Sequence, residues 1–287
     1  MSIQVNELSH IYSKGLPYQS VALNSVSFEA ADGEFLGIIG HTGSGKSTLV
    51  QHLNGLLKPE SGSIAIDGTD ISKGGAPMRD IRRKVGLVFQ YPEYQLFEES
   101  VYKDIAFGPL NLGLSAEEAD ECVRDAIKLV GLDFEQVSQR SPFELSGGQK
   151  RRVAIAGVIS MKPEILILDE PTAGLDPKTH KDVLGMIKDI HEATGNTTIL
   201  VSHNMSDIAN CCEKILVLQK GGVLIHGTPA EVFARKGELS ESGLSIPPVM
   251  DLMQRLSSGG LCVRTDIFDA DAAADEISAF LLRRCER

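Results

Sequence analysis

Two kinds of hydrophobic pattern take turns along this chain. Residues 3–12 and 21–39 alternate or run apolar between turn residues, as in Val26-Ser27-Phe28-Glu29-Ala30 and Phe35-Leu36-Gly37-Ile38-Ile39, and read as strands. Asp32-Gly33 between them is a strong hairpin signal. From Ser47 to Leu56 the apolar positions take helical spacing and stop near Lys58-Pro59. A strand-turn-strand passage, Ser63-Ile64-Ala65-Ile66-Asp67-Gly68, precedes the strand Val85-Gly86-Leu87-Val88-Phe89. From about Tyr91 to Ser160 the pattern is mostly helical, and Ser115-Ala116-Glu117-Glu118 is a capping box for a helix reaching about Gly131. Past Ile165 the alternation resumes: strand to Leu168, helix from Lys178 to Ala193, strand Thr197 to Val201, helix Met205 to Cys211. Strands Lys214 to Leu218 and Val223 to His226 flank Lys220-Gly221-Gly222, and Thr228-Pro229-Ala230-Glu231 opens a short helix. Beyond about Glu238 the chain turns richer in Gly and Ser, with two short helical candidates, the second near residues 270–284. This order predicts an α/β nucleotide domain built on a parallel sheet and interrupted by a helical insertion.

A length of 287 residues allows one large domain and an appendage, and 42% apolar with 23% charged residues is ordinary for a soluble globular chain. No apolar run approaches the roughly 18 residues that a membrane span needs. The first residues lack the basic cluster and apolar core of a signal peptide. Five cysteines without a Cys-x-x-Cys spacing argue for free thiols in a reducing cytosol and against a zinc site. A net charge of −11 argues against nucleic acid as the main partner, and the dense basic triplet Lys150 to Arg152 sits inside a motif with another reading.

The chemistry begins at Gly40-His41-Thr42-Gly43-Ser44-Gly45-Lys46-Ser47-Thr48, a complete phosphate loop after an apolar strand and before a helix. Its glycines let backbone N–H groups turn toward phosphate oxygens, and the helix N-terminus adds positive potential. Lys46 supplies charge to the β and γ phosphates of ATP, and the Ser47 hydroxyl is a Mg²⁺ ligand. The run Ile165-Leu166-Ile167-Leu168 is apolar on both faces and ends in Asp169-Glu170. There Asp169 would hold Mg²⁺ and Glu170 would polarise the attacking water. Tyr12, between the first two strands, is placed to stack on adenine.

Between these motifs lies Leu145-Ser146-Gly147-Gly148-Gln149, and the ordered set resembles the ATP-binding subunit of ATP-binding-cassette transporters. The resemblance covers residues 1 to about 235. It implies a P-loop domain with a RecA-like parallel sheet core and an antiparallel β subdomain over residues 1–90 and 161–237. It also implies an inserted helical subdomain over 91–160, while the tail over 238–287 resembles the small C-terminal extension of one group of the family, which helps hold two ATPases together. By the same resemblance Gln90 is the hinge glutamine that reaches Mg²⁺, His203 the switch histidine that contacts the γ-phosphate, and Asp176 part of a segment crossing to the partner. The resemblance further implies that residues 145–149 bind ATP held by a different subunit, so that the enzyme is a head-to-tail dimer with two ATP sites.

A narrower likeness follows the glutamine. Tyr91-Pro92-Glu93-Tyr94-Gln95-Leu96-Phe97 resembles the second ATPase of energy-coupling-factor importers for vitamins or transition-metal ions. That implies a second ATPase subunit as partner, with a homodimer as the alternative. It also implies a transmembrane coupling subunit touched by residues 91–97, a separate membrane protein that binds the substrate, and a place on the cytoplasmic face of the membrane. The competing readings are an ATPase of another importer or exporter, and a non-transport cassette acting on DNA or ribosomes.

Overall fold

A computed structural model describes residues 3–72 and 78–285. Its centre is a six-stranded sheet in the order β10-β9-β3-β8-β7-β6. The strands are β3 (Phe35–Ile39), β6 (Val85–Val88), β7 (Ile165–Asp169), β8 (Thr197–Val201), β9 (Lys214–Gln219) and β10 (Gly222–Gly227). All neighbours in it run parallel except β10, which pairs antiparallel with β9 across the predicted turn. A four-stranded antiparallel sheet, β2-β1-β4-β5, is built from β1 (Ile3–Tyr12), β2 (Ser20–Ala30), β4 (Ser61–Ile66) and β5 (Thr69–Asp70).

The helices are α1 (Lys46–Leu53), α2 (Met78–Lys84), α3 (Val101–Asn111), α4 (Ala116–Leu129), α5 (Phe134–Val137) and α6 (Gly147–Ile159). They continue with α7 (Pro177–Thr194), α8 (Met205–Cys211), α9 (Pro229–Ala234), α10 (Lys236–Glu241), α11 (Pro248–Ser258) and α12 (Ala270–Cys285). No helix of the described residues is long and apolar enough to cross a membrane.

The expected Asp32-Gly33 hairpin is not formed. β2 pairs with β1 while β3 lies between β8 and β9, so the turn carries the chain from one sheet to the other. A turn dipeptide specifies a reversal of direction but not which strand the chain then pairs with. Gly33 N–H donates to Thr197 Oγ1 at 3.0 Å, which fixes the crossing at the edge of β8.

Period-two alternation in the central strands sorts side chains into two cores. Leu36, Ile38, Ile165, Ile167, Ile199 and Val201 face the antiparallel sheet and α1, together with Leu49, Leu53, Ile64 and Ile66. Phe35, Ile39, Leu166, Leu168, Leu200, Ile215 and Val217 face the other way, toward α3, α4, α6, α7 and α8. Leu239, Ile246 and Met250 belong to this second core as well. A separate small cluster, Met253, Val263, Ile267 and Ala273, joins α11 to α12. Burial of both faces explains the near-continuous apolar runs of β3, β7 and β8.

Candidate nucleotide site

The phosphate loop leaves the carboxyl end of β3, the end where parallel sheets bind ligands. Gly45 caps α1 with φ 106°, a backbone region closed to most L residues, and a Cβ there would lie 2.5 Å from the Ala22 carbonyl oxygen. Lys46 Nζ donates to the carbonyls of Gly40 at 2.7 Å and His41 at 3.2 Å. Burial pulls the Lys46 pKa down, against the charges of Glu170 and Asp169. His41 Nδ1 lies 2.6 Å from the Thr42 carbonyl. Ser44 and Thr48 are buried within the loop and Ser47 is exposed beside it.

Three strand ends bring the acid-base groups to this loop. Asp169, the last residue of β7, is buried, and the nearby Ser47 hydroxyl favours its charged form. Burial raises the Asp169 pKa, Glu170 adds to the rise, and Ser47 and Lys46 oppose it. Glu170 takes φ 50°, an unfavourable conformation for a non-glycine residue, held by its N–H donating to Val201 O at 2.9 Å. Gln90 Nε2 donates to Glu170 Oε2 at 2.8 Å, and His203 Nδ1 lies 3.4 Å from Glu170 Oε1. The structure thus gathers Gln90, Glu170 and His203 from the ends of β6, β7 and β8.

Two cavities adjoin this group. One of about 520 Å³ is lined by Gly40, His41, Lys46, Glu170 and His203, together with Leu244 of the C-terminal region. The other, about 390 Å³, is lined by Gln90, Glu170, Gly174, His180 and His203. Among the described residues no three His, Cys, Asp or Glu side chains cluster as metal ligands. A cation here would therefore draw on the Asp169 carboxylate, the Ser47 hydroxyl and the Gln90 amide oxygen. That hard, all-oxygen set fits Mg²⁺, which keeps water and phosphate ligands of its own.

Residues 145–149 line neither cavity. Ser146 caps α6, accepting from Gln149 N–H at 3.3 Å, while Gln149 Oε1 accepts from Ser146 N–H at 3.1 Å. Leu145 is buried, Ser146 and Gly147 are exposed, and a Cβ at Gly147 would meet nothing within 4 Å. The segment therefore presents a helix N-terminus on open surface. Asp176 caps α7, accepting from the backbones of Lys178 and Thr179 and from the Thr179 hydroxyl. Tyr12 remains partly exposed, its hydroxyl 3.3 Å from Thr48 Oγ1 and its ring edge-on to His10.

The segment after Gln90 divides by face. Pro92–Gln95 forms a 3-10 turn, entered through Tyr91 at φ 55°. Tyr94 and Phe97 are exposed at 84% and 58%, whereas Pro92 is buried and Leu96, at 7%, joins the second core. The structure thus takes Leu96 out of the surface expected to meet a partner, because its side chain packs inward beside Val101 and Ile105. Glu93 pairs with Arg151, and Gln95 lines a groove of about 730 Å³ with Phe97, Phe107, Val158 and Met161. That groove is larger than either cavity at the phosphate loop, so size does not mark the chemistry.

Three buried or half-buried polar side chains packed around these segments escaped the sequence reading: Arg151, His180 and Asp207. Arg151 was legible in principle, since it falls at helical spacing with the buried Ile155 and Ile159 and so faces the core. His180 and Asp207 carry no such signal.

Residues 23–173 match the ABC transporter family. The chain is 53% identical to the energy-coupling factor transporter ATP-binding protein EcfA2 of Clostridium tetani, over 96% of each chain. It is 54% identical to the EcfA2 protein of Caldanaerobacter subterraneus subsp. tengcongensis, over 98% of each. Among solved structures, cbiO1 of Clostridium perfringens, described as part of the ABC transporter complex cbiONQ, superposes with a TM-score of 0.74 at 38% identity, over 88% of this chain and 98% of that one. A dimeric post-hydrolysis state of the cassette MJ0796 bound to ADP and Pi superposes with a TM-score of 0.69 at 29% identity, over 79% of this chain and 98% of that one. The phosphate loop, the acids that end β7 and the signature at the head of α6 are those of a cassette ATPase, and this chain belongs to the ABC transporter family, among its energy-coupling-factor ATP-binding proteins.

Proposed function

We propose that the chain hydrolyses ATP as one half of a head-to-tail dimer that encloses two ATP molecules and drives an energy-coupling-factor importer. The observation that carries this reading is the gathering of Gln90, Glu170 and His203 beside the Lys46 loop, while the signature of the same chain lines neither adjoining cavity. A partner's signature, presenting a helix N-terminus to phosphate, completes each site.

In this reading the loop amides and Lys46 hold the β and γ phosphates, and Tyr12 stacks on the base. Glu170 accepts a proton from water as its oxygen attacks the γ-phosphorus, and the bond to the bridging oxygen breaks to leave ADP and phosphate. His203 steadies the γ-phosphate and Gln90 orients Glu170. Ser47, Asp169 and Gln90 would hold Mg²⁺, which when bound neutralises charge on the phosphate oxygens.

The groove beside the 3-10 turn, with Phe97, Phe107 and Met161 on its walls and Arg79, Arg82 and Arg83 among its lining residues, receives a coupling helix of the membrane subunit. Tyr94 stands exposed beside it. The ATPase partner is a second, related subunit. A further membrane protein binds the transported vitamin or metal ion, the chain sits peripherally on the cytoplasmic face, and nucleic acid takes no part. Co-expression with a candidate second ATPase and membrane subunit tests the whole. A detergent-stable complex that supports ATP-dependent uptake in proteoliposomes is expected. An ATPase that purifies free of any membrane subunit and supports no uptake would overturn it.

A further inference from the structure

We propose that the hydrogen bond between His180 and Asp207 is a positioning device that holds His203 against Glu170 and ties that position to the Asp176 segment. The inference rests on the roles proposed above for Glu170, His203 and Asp176. His180 stands in the first turn of α7, and its N–H donates to the Asp176 carbonyl at 2.9 Å. Asp207 stands in the first turn of α8, where Asn204 caps the helix by accepting from Ser206 and Asp207 N–H. His203 immediately precedes that cap, between the buried Ser202 and the buried Met205. Ser202 Oγ accepts from Asn204 N–H at 3.0 Å. The backbone at His203 is thus anchored on both sides while its side chain is 71% exposed, so a shift of α8 moves the base from which that side chain reaches Glu170.

The ring nitrogen Nε2 of His180 lies 2.9 Å from the Asp207 carboxylate. Among the described residues no other side chain hydrogen-bonds to that carboxylate, which is only 6% exposed. A carboxylate this deep is costly unless paired, so the pair resists separation. The groups facing Asp207 are His180 from α7 and His203 from the strand end, both favouring its charged form, while burial pushes its pKa up. His180 also borders the 390 Å³ cavity that Glu170, Gly174 and His203 line. A displacement of the Asp176 segment by a partner subunit would therefore reach His203 through one hydrogen bond and the capped first turns of α7 and α8. Such a link lets closure of the dimer and alignment of the γ-phosphate contact occur together.

The test is steady-state turnover and nucleotide affinity of the full-length dimer for His180→Ala, Asp207→Ala, the double variant, His180→Gln and His203→Ala, with thermal melts of each. We expect either alanine variant of the pair to lower kcat about tenfold, with KM for ATP changed less than about twofold. The double variant should be no slower than the slower single, and His180→Gln, which keeps a donor, should recover most of the rate. A purely structural role would lower the melting temperature and leave kcat per folded molecule unchanged. Losses that multiply to about a hundredfold in the double variant, or wild-type kcat in His180→Ala, would overturn the pairing. Should the alanine variants not fold, His180→Phe combined with Asp207→Asn keeps the volume and removes the hydrogen bond and the buried charge together. Wild-type kcat in that protein would overturn the proposal, and a lowered kcat with unchanged KM supports it. The His203→Ala control separates the two levels. If it keeps wild-type turnover, the underlying reading fails; if it is inactive while the pair variants are normal, only the pair's role fails.

Discussion

Arg151 meets Glu93 through two guanidinium nitrogens, Nε at 3.0 Å and Nη2 at 2.7 Å, and Nη1 donates to the carbonyls of Pro171 at 2.9 Å and Ala173 at 2.8 Å. One side chain, 1% exposed, thus joins the signature helix α6, the turn after Gln90 and the chain after Glu170. The planar fork of arginine suits this, since it satisfies a carboxylate in two places and still has donors for backbone oxygens.

Removing either partner should therefore cost more than a surface pair would. Arg151→Met leaves Glu93 unpaired and two carbonyls without donors, and a loss of about 3 kcal/mol of folding stability is expected. Chemical denaturation of the isolated subunit measures it. A midpoint within experimental error of wild type would show that the network is not structural.

Glu170→Gln should keep ATP binding and lower turnover by about a hundredfold or more, because an amide accepts no proton from water. The Gln90 contact at 2.8 Å survives, since an amide oxygen accepts as a carboxylate oxygen does. Phosphate release and gel filtration with ATP read both halves. A variant with most of the wild-type rate would remove Glu170 from the role of base.

Lys46→Ala should fail at affinity instead, losing a charge from the phosphate site and the two contacts that Nζ makes to the Gly40 and His41 carbonyls. Calorimetric titration with a non-hydrolysable ATP analogue should show binding at least about tenfold weaker. Unchanged affinity contradicts the assignment.

Tyr94 and Leu96 should part company. Tyr94→Ser removes an 84% exposed ring and should leave the melting temperature unchanged while weakening capture of a membrane subunit in detergent. Leu96→Ser cuts into the core and should cost about 2–5 kcal/mol of stability. Equal melting temperatures for the two variants would contradict the burial pattern.

Thiol labelling offers an independent check of the fold. Burial pushes the Cys211 thiol up to about 11 and the fully buried Cys212 well above its ordinary range. Because the thiolate is the reactive form, raising the pH toward 9 should not open either to alkylation in the native protein. Cys262 is exposed and should react before these two, and Cys122, on the buried face of α4, should wait for unfolding. Peptide mapping after brief alkylation distinguishes these sites, and rapid modification of Cys212 would refute the packing of α8 on β3.

The phosphate loop, the acids after β7 and the signature were legible because each is a contiguous run whose spacing matches its chemistry. The strand periods were legible because burial on two faces leaves almost no polar position. What the pattern missed depends on partners far along the chain. Asp32-Gly33 marks a turn but could not say that β3 would enter another sheet rather than pair back on β2. Residues 91–97 contain a single 3-10 turn of four residues, Pro92–Gln95, and that is too short for a period to show which face is inside. Arg151 hid within a basic triplet that reads as solvated until its spacing to Ile155 and Ile159 is noticed.

Leu239, Ile246 and Met250 pack in the same core as Leu166 and Leu168, whereas Met253, Val263 and Ile267 make a cluster of their own. These two stretches of the tail are under different constraints as the sequence changes over generations. Substitutions between residues 239 and 250 must be answered by neighbours such as Met205 and Phe233, so this stretch drifts only in concert with the sheet. Beyond Met250 the tail packs mainly within its own cluster, although Phe268 also meets the second core, its ring 5.9 Å from that of Phe233. A change in the terminal segment therefore has to preserve the contacts of Met250 and Phe268 before the rest of its cluster can vary without disturbing the catalytic body.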